Sequence, residues 1–363
     1  YVSTISGDPA TSILNGAVTA NFNASSNFQQ TKSSSYFGQF NYDYKNKYLV
    51  GATLRYDGFS NFAAVNQYAT FPSVSLGWNL SNEDFWKVSF MNLCKLRTSW
   101  GSSGLSNLSI NDTYGLYSAN SYGLESGIYR ANLSNPNLVW ETTDALDLGL
   151  DMGFFKNRIN LTVDWYNKIT KNQLAQLPLP SETGFNSITY NVGSLRNKGI
   201  EFELQATVLK YKDFSWNSTF TFAFNRTTIE KLPGNGKDKN RINGGLVFDA
   251  ASGKEIYVGG WAEGERPGGL WAWESLGIFA TDAEAQAPGV PVDKMVASAN
   301  LNKPKHGGDV NWNDVNKDGI IDGKDLVFMG YMTPDKIGGM QNTFKYKRLS
   351  MRFVMDYALG NVI

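Results

Sequence analysis

Residues 200–208 alternate strictly between apolar and polar side chains, and the pattern recurs at 214–225 after a short turn. Successive side chains of a β-strand point to opposite faces, so each segment predicts a strand with one apolar face and one wet face. The polar face of the first segment carries Glu201 and Glu203. Such a sheet either covers the core of a soluble β protein, or it faces lipid on one side and water on the other.

The alternation extends along most of the chain. It predicts roughly ten strands of about 8–12 residues, close to the length that crosses a bilayer at a tilt. Short connections are expected at 45–47, 154–158, 209–213 and 347–348, with a medium one at 81–92. Long connections are expected at 58–70, 102–142, 167–196 and 226–337. Short turns on one side and long loops on the other are typical of outer-membrane barrels, which favours lipid over a soluble core.

The polar faces of the predicted strands are heavily charged. In a soluble sandwich these side chains would meet bulk solvent, whereas in a barrel they would line the lumen. For a barrel, the residues expected to face the lumen are Arg55, Arg97, Asp147, Asp151, Glu201 and Glu203.

Composition excludes several classes of protein. The 33 basic and 33 acidic residues balance, which argues against a nucleic-acid binder that relies on phosphate attraction. The single cysteine, Cys94, allows no internal disulfide. The single histidine, His306, stands beside two glycines without a nucleophile signature, so we predict no enzymatic activity.

Residues 314–325 have the spacing of a calcium-binding loop. Oxygen-bearing side chains fall at positions 1, 3, 5, 9 and 12, with glycine at 6 and a backbone carbonyl at 7. We expect a structural Ca²⁺ ion here, although position 12 is an aspartate where the longer glutamate is usual. A solvated loop of Asx turns without an ion is the alternative. The expected ligands are Asp314, Asn316, Asp318, Ile320, Asp322 and Asp325.

A glycine-rich segment at 261–274 carries three tryptophans, Trp261, Trp271 and Trp273. The rings could stack on a sugar or a peptide side chain, which would make them substrate-binding residues. The alternative is that the rings pack the loop against its neighbours, and the sequence favours this second interpretation.

Four segments resemble signatures of the SusC-like TonB-dependent transporters of the Bacteroidetes outer membrane, the RagA/SusC family. They are residues 71–78, 135–143, 191–201 and 308–325, and they follow one another in the family's order. The resemblance implies an all-β fold, a transmembrane antiparallel barrel of about 22 strands with long extracellular loops and short periplasmic turns. This chain would supply roughly ten of those strands, because its pattern yields no more.

The resemblance also implies a function and partners. Members of the family import oligosaccharides or peptides across the outer membrane, together with a SusD-like lipoprotein and with energy passed through TonB. We read residues 1–363 as part of the barrel domain, with the plug, the TonB-contacting segment and the last strands expected outside this chain. The alternative is a secreted or cell-surface soluble β domain that binds glycans and holds a structural calcium.

Overall fold

The computed structural model describes residues 30–122, 125–294 and 304–362. Its main feature is an antiparallel sheet of ten long strands. In chain order these are β1 (Ser33–Tyr44), β2 (Tyr48–Phe59), β3 (Tyr68–Asn79), β4 (Met91–Leu105), β7 (Glu141–Phe154), β8 (Ile159–Pro178), β9 (Ser187–Tyr211), β10 (Phe214–Lys231), β19 (Lys336–Tyr346) and β20 (Leu349–Leu359).

The connections of the sheet contain shorter elements. The strands are β5 (Tyr117–Tyr122), β6 (Glu125–Arg130), β11 (Gly245–Asp249), β12 (Lys254–Val258), β13 (Gly269–Trp273), β14 (Ser275–Ile278), β15 (Val292–Asp293), β16 (Val310–Trp312), β17 (Ile320–Ile321) and β18 (Leu326–Tyr331). The helices are α1 (Ile110–Tyr114) and α2 (Asp282–Ala285), with 3₁₀ turns at Leu80–Asn82, Ser181–Thr183, Asp238–Asn240 and Gly323–Asp325.

Strands that follow one another in the ten-stranded sheet are also neighbours in space. The order is β1-β2-β3-β4-β7-β8-β9-β10-β19-β20, so every pairing is a hairpin or spans one of the loop insertions. The β1–β2 pair joins Tyr36 to Tyr56 and Phe40 to Ala52 directly across the ladder. Opposed residues share a face, which makes one face of this pair apolar and the other largely polar.

The alternation of β9 and β10 produces the two faces that the sequence predicted. On the apolar side, the Phe202 ring lies with its centroid 5.4 Å from those of Phe220 and Phe222. On the polar side, the Thr207 hydroxyl donates to Asn217 Oδ1 at 3.0 Å. The antiparallel all-β fold expected from the pattern is confirmed, with ten strands in the sheet.

Two strands are longer than the sequence predicted. The segment 167–196 was expected to be a loop, but β8 continues to Pro178 and β9 begins at Ser187, which leaves a connection of residues 179–186. The prediction was wrong because it ended each strand where the apolar-polar alternation fades. Backbone hydrogen bonds continue the ladder beyond that point, where neither face requires an alternating pattern. The connection expected at 226–337 is also shorter than predicted and comprises residues 232–335, because β10 ends at Lys231 and β19 begins at Lys336.

The chain divides into two compact units. The first comprises Tyr1–Gly77, Thr98–Leu146 and Ile169–Ser194. Its core lies among the loop segments, where Phe62 and Leu138 are fully buried and the rings of Phe62 and Trp140 stack with centroids 4.9 Å apart. Phe71 meets Trp140 edge-on at 5.7 Å, and Leu108 completes the buried cluster.

In this first unit, asparagine side chains connect the segment before β7 to the strands β8 and β9 through backbone groups. Asn191 donates to the carbonyls of Val139 at 3.0 Å and Asn172 at 2.7 Å, and its Oδ1 accepts from the Val139 amide at 3.0 Å. Asn135 donates to the Thr189 carbonyl at 2.9 Å. Asn135, Val139 and Asn191 belong to the signature segments 135–143 and 191–201, so in this fold the signatures join the connection before β7 to the strands β8 and β9.

The second unit comprises Trp78–Arg97, Asp147–Lys168 and Leu195–Ile363. Between β10 and β19 it holds four small pairs of strands, β11–β12, β13–β18, β14–β16 and the parallel pair β15–β17. Ile229, Val247 and Ile321 are among its buried apolar residues. In the described part of the chain, no helix has the length and apolar character needed to cross a membrane.

Candidate functional site

Charged side chains on the polar face of the second unit form a linked group. The Arg97 guanidinium of β4 binds Asp151 of β7 through Nε at 2.7 Å and Nη2 at 3.0 Å. The same Nη2 donates to Asp164 of β8 at 2.9 Å. One arginine therefore connects three adjacent strands and leaves an excess of negative charge, because two carboxylates share it.

Gly149 creates the space that this arrangement needs. A Cβ atom at this position would lie 2.5 Å from Asp164 Oδ1 and 2.6 Å from Arg97 Cζ. Any side chain on β7 at this point would therefore occupy the path of the guanidinium. The charge pattern of the sequence predicted Arg97, Asp147 and Asp151 to face the lumen, but it contained no signal for Gly149.

The remaining residues expected to face the lumen lie on the polar faces of their own strands. Arg55 pairs with Asp57 at 3.2 Å, two residues along β2 in the first unit. In the second unit, Glu201 is exposed and the Glu203 carboxylate accepts a short hydrogen bond from Gln205. Asp147 lies two residues before Gly149 on β7 and is half-buried.

The oxygens of the 314–325 segment turn inward and bind the backbone of their own loop. Asp314 accepts from the amides of Asp318 at 3.2 Å and Gly319 at 2.8 Å. Asp318 accepts from the Ile320 amide at 2.9 Å, and Asn316 Oδ1 accepts from the Asp318 amide at 2.9 Å. The loop therefore folds around the side chains at positions 1, 3 and 5.

Asp325 closes the loop from a fully buried position. Its carboxylate accepts from the amides of Val315 at 3.0 Å and Asp322 at 2.9 Å. Burial raises the pKa of Asp325, and the nearby charge of Asp314 raises it further, while the backbone donors act in the opposite direction. Asp322 caps the following 3₁₀ turn by accepting from the Lys324 amide at 2.7 Å.

The three tryptophans of the 261–274 segment have different environments. Trp273 donates its indole N–H to the Asp322 carbonyl at 2.6 Å, which connects β13 to the 314–325 loop. Trp271 packs on Phe328 with ring centroids 5.4 Å apart. Trp261 is half exposed, and its backbone forms a bridge with Ile242. The structure thus brings Trp273 to the loop, whereas Trp261 presents its ring to solvent.

An ion pair between a buried arginine and a partly exposed glutamate in this loop region had no signal in the sequence. Arg241 is 4% exposed and binds Glu265 through Nη2 at 2.7 Å and Nη1 at 3.1 Å. Lys239 also donates to Glu265, at 2.8 Å. Burial alone would raise the pKa of Glu265, but hydrogen bonds and charges from Arg241 and Lys239 hold it below its usual value. The partners are more than twenty residues apart along an irregular segment, so no periodicity connects them.

Comparison with known proteins identifies the class to which this fold belongs. Residues 4–317 match the family described as TonB dependent receptor-like, beta-barrel. TonB-dependent receptor P3 of Formosa agariphila is 33% identical over 96% of this chain and 34% of its own length. TonB-dependent receptor SusC of Bacteroides thetaiotaomicron is 30% identical over 91% of this chain and 31% of its own length. The chain thus spans about a third of the length of these relatives.

Solved structures show the same fold. The RagAB peptide transporter superposes with a TM-score of 0.69 at 24% identity, over 91% of this chain and 34% of the matched chain. The fold and its two-faced wall define an outer-membrane β-barrel of the receptor and transporter class, which is not a class of enzymes. This chain belongs to the TonB-dependent receptor β-barrel family, and its relatives include proteins of SusC type. The alternative of a soluble glycan-binding domain is therefore wrong.

Proposed function

We propose that this chain forms part of the wall of an active importer for oligosaccharides or peptides. The observation that carries the proposal is the two-faced sheet, with exposed aromatic side chains on one face and an ion-paired polar face on the other. The name of one relative, SusC, and that of one structural neighbour, a peptide transporter, support the same activity. A SusD-like lipoprotein as partner and TonB as the source of energy are part of the proposal.

In this proposal the wall performs no covalent chemistry. The aromatic face is solvated by lipid, which leaves the polar face to line the path of the cargo. Fixed ion pairs such as Arg97–Asp151 hold charges in place without leaving them free to trap a charged cargo. The long loops on the outer side would contact the cargo and the lipoprotein. Among the tryptophans, Trp261 is the ring available for stacking on cargo, while Trp271 and Trp273 support the loop.

The transport proposal is tested in the native host. We expect deletion of the gene to abolish uptake of labelled oligosaccharides or of labelled peptides, and the full-length gene to restore it. Collapse of the proton-motive force should abolish uptake in the complemented strain, because TonB draws its energy from there. Uptake of both classes at the parental rate in the deletion strain would contradict the proposal.

We further propose that the 314–325 loop binds Ca²⁺ as a structural ion. The donor set fits a hard cation in part, since Asp314, Asn316 and Asp318 already converge on one loop interior. No cluster of three or more His, Cys, Asp or Glu side chains at metal-binding distance occurs among residues 30–122, 125–294 and 304–362. Carboxylates alone would therefore not hold the ion. The side-chain oxygen of Asn316 and the backbone carbonyl oxygen of Ile320 would have to complete the ligand set, together with the carboxylates of Asp322 and Asp325.

The ion proposal has its own experiment. Terbium, which replaces calcium and is sensitised by nearby indoles, should luminesce when added to the full-length protein in detergent. Asp314→Asn should weaken terbium binding by at least about tenfold, because a charged ligand is lost. Trp273→Phe should dim the emission and lower the affinity only a few-fold, since it removes the support of one indole hydrogen bond. Unchanged binding in Asp314→Asn would refute the site.

A further inference from the structure

Three short turns of the second compact unit lie side by side at one edge of the sheet. They are residues 155–158 between β7 and β8, residues 210–213 at the end of β9 and in its turn to β10, and residues 345–348 at the end of β19 and in its turn to β20. The six strands are consecutive neighbours in the sheet. Arg158 Nε donates to the Thr207 carbonyl at 2.8 Å, and the Lys347 amide donates to the Asp213 carbonyl at 3.0 Å. The three turns therefore form one continuous surface, here called the turn edge.

The turn edge is strongly basic although the chain as a whole is neutral. Its three segments contain seven basic residues and one acidic residue, whereas the whole chain contains 33 of each sign. All seven basic side chains are exposed, and none forms an ion pair with the residues that the structure describes. They are Lys156, Arg158, Lys210, Lys212, Lys345, Lys347 and Arg348.

Backbone geometry makes lysine an unfavourable choice at three of these positions. Lys156, Lys212 and Lys347 have φ values of 58°, 45° and 51°, in the left-handed region. Glycine and asparagine enter that region at the least cost, and they are the usual residues of tight hairpin turns. A turn that needed only its geometry would use one of them. The presence of lysine in the left-handed region in all three turns thus indicates that the positive charge has a function.

Aromatic rings lie directly beneath these charges. Lys212 Nζ is 5.3 Å from the ring centroid of Tyr211, and Lys347 Nζ is 5.5 Å from that of Tyr346. Both rings are more than half exposed, as is Phe155 beside Lys156. Amphipathic rings at the level of the headgroups, with ammonium groups just beyond them, are the arrangement found at a membrane surface. In the first unit, the turn at 45–47 repeats it locally, with Lys45 Nζ 5.3 Å from the Tyr44 ring.

We propose that the turn edge binds the phosphate groups of anionic phospholipids in the periplasmic leaflet of the outer membrane. Outer-membrane barrels place their short turns on the periplasmic side, so the turn edge would meet the phospholipid headgroups of that leaflet. Lysine ammonium groups bind phosphate as point charges with three donors each, which suits mobile headgroups better than a fixed pocket would. The rings of Tyr211 and Tyr346 set the depth of the edge, and the lysines hold the headgroups around it.

The test uses the full-length protein extracted in a mild detergent and offered equal amounts of phosphatidylglycerol and phosphatidylcholine. Retained lipid is quantified by native mass spectrometry. We expect the parent protein to retain phosphatidylglycerol in excess, and the excess to shrink at high salt because exposed charges are screened. The triple variant Lys156→Gln, Lys212→Gln, Lys347→Gln should lower the excess about tenfold, since each lysine contributes separately near a charged surface.

A matched control removes the same charge elsewhere in the same unit. The variant Lys237→Gln, Lys254→Gln, Lys294→Gln changes three exposed lysines of the long outer loop and should retain the parental lipid ratio. Heat-modified electrophoretic mobility checks that both proteins are folded, and the single variants Lys212→Gln and Lys347→Gln replace the triple if it is not. A parental lipid ratio in the turn variants would overturn the proposal. So would a preference of the parent for lipopolysaccharide when it is offered beside an equal amount of phosphatidylglycerol in a second experiment.

Discussion

Gly149 on β7 stands at a position where the structure leaves no room for a side chain. Because a Cβ atom at Gly149 would meet the ends of Arg97 and Asp164 rather than backbone, Gly149→Ala should displace the ion pair and leave the strand in place. We expect the free energy of unfolding to fall by about 1–3 kcal/mol, the usual cost of overpacking. Urea titration of the detergent-solubilised full-length protein, followed by heat-modified mobility, measures this change.

Two further variants isolate the cause. Gly38→Ala is the matched strand glycine, because nothing lies within 4 Å of the added Cβ, and its stability should be unchanged or slightly higher. In an Arg97→Met background the penalty of Gly149→Ala should largely disappear. If the penalty persists at full size there, the space at Gly149 does not serve the guanidinium.

The Arg241–Glu265 ion pair predicts a pH dependence of local stability. The pKa of Glu265 is held below its usual value of 4.5, so its contribution is complete above pH 4.5 and is lost as the pH falls through the lowered value. Hydrogen exchange of peptides covering 229–266 should be slow at pH 7 and faster at acid pH, after correction for intrinsic rates. The Ile229 and Gly264 amides, which bond to the Glu265 and Ile229 carbonyls, report on this segment.

Glu265→Gln should exchange faster at pH 7 and lose most of that pH dependence. Glu182→Gln, an exposed glutamate in the 3₁₀ turn Ser181–Thr183, is the control and should behave like the parent. Equal pH dependence in Glu265→Gln and the parent would mean that another group controls the segment.

At the scale of elements, the asparagine contacts of the first unit predict a loss of stability. Asn191→Ala removes three hydrogen bonds and leaves the amide and carbonyl of Val139 without their partner. We expect a cost of about 2 kcal/mol, because unsatisfied backbone groups are expensive when they are shielded from water. The midpoint of thermal unfolding by heat-modified mobility measures it, and the exposed Asn107→Ala in the same unit should leave the midpoint unchanged.

The elements differ in how far the sequence alone could predict them. Strands such as β2 and β10 follow directly from alternation, because one face meets lipid and the other does not. The outer halves of β8 and β9 lose that pattern, and backbone pairing maintains them without a constraint on side chains. In the same way, the spacing of the residues from Asp314 to Asp325 is local and can be recognised in the sequence. The Arg241–Glu265 ion pair and the Asn191–Val139 hydrogen bonds form only when segments distant in sequence meet in the fold.

At the scale of the whole molecule, the two faces of the sheet predict opposite responses to the same substitution. Leu54 and Thr53 are neighbours on β2, and Leu54, which lies opposite Gly38, shares its face with Tyr36 and Phe40 of β1. Leu54→Arg in the full-length protein should destabilise the barrel by about 2 kcal/mol, because the charge would enter lipid. Thr53→Arg points to the wet face and should have little effect.

Unfolding of both variants in lipid bilayers compares the two substitutions directly. A larger penalty for Thr53→Arg would show that the register of β2 is shifted by one residue, which exchanges the faces of the whole strand. The same result would remove the basis for placing Arg55 on the lumen side. The cargo and partners proposed above, in contrast, depend on loop surfaces that the strand pattern does not encode.

The pairing of β10 with β19 has a consequence for the order of assembly. Its partners, such as Trp216 and Phe344, lie more than a hundred residues apart, whereas β19 and β20 meet across a two-residue turn. Closing the longer gap costs roughly 3 kcal/mol more chain entropy than closing a tight turn. If the strand pairs within 232–335 fold before β10 meets β19, the effective gap is shorter. We therefore expect the β9–β10 and β19–β20 hairpins to join late, after the inserted segment has folded.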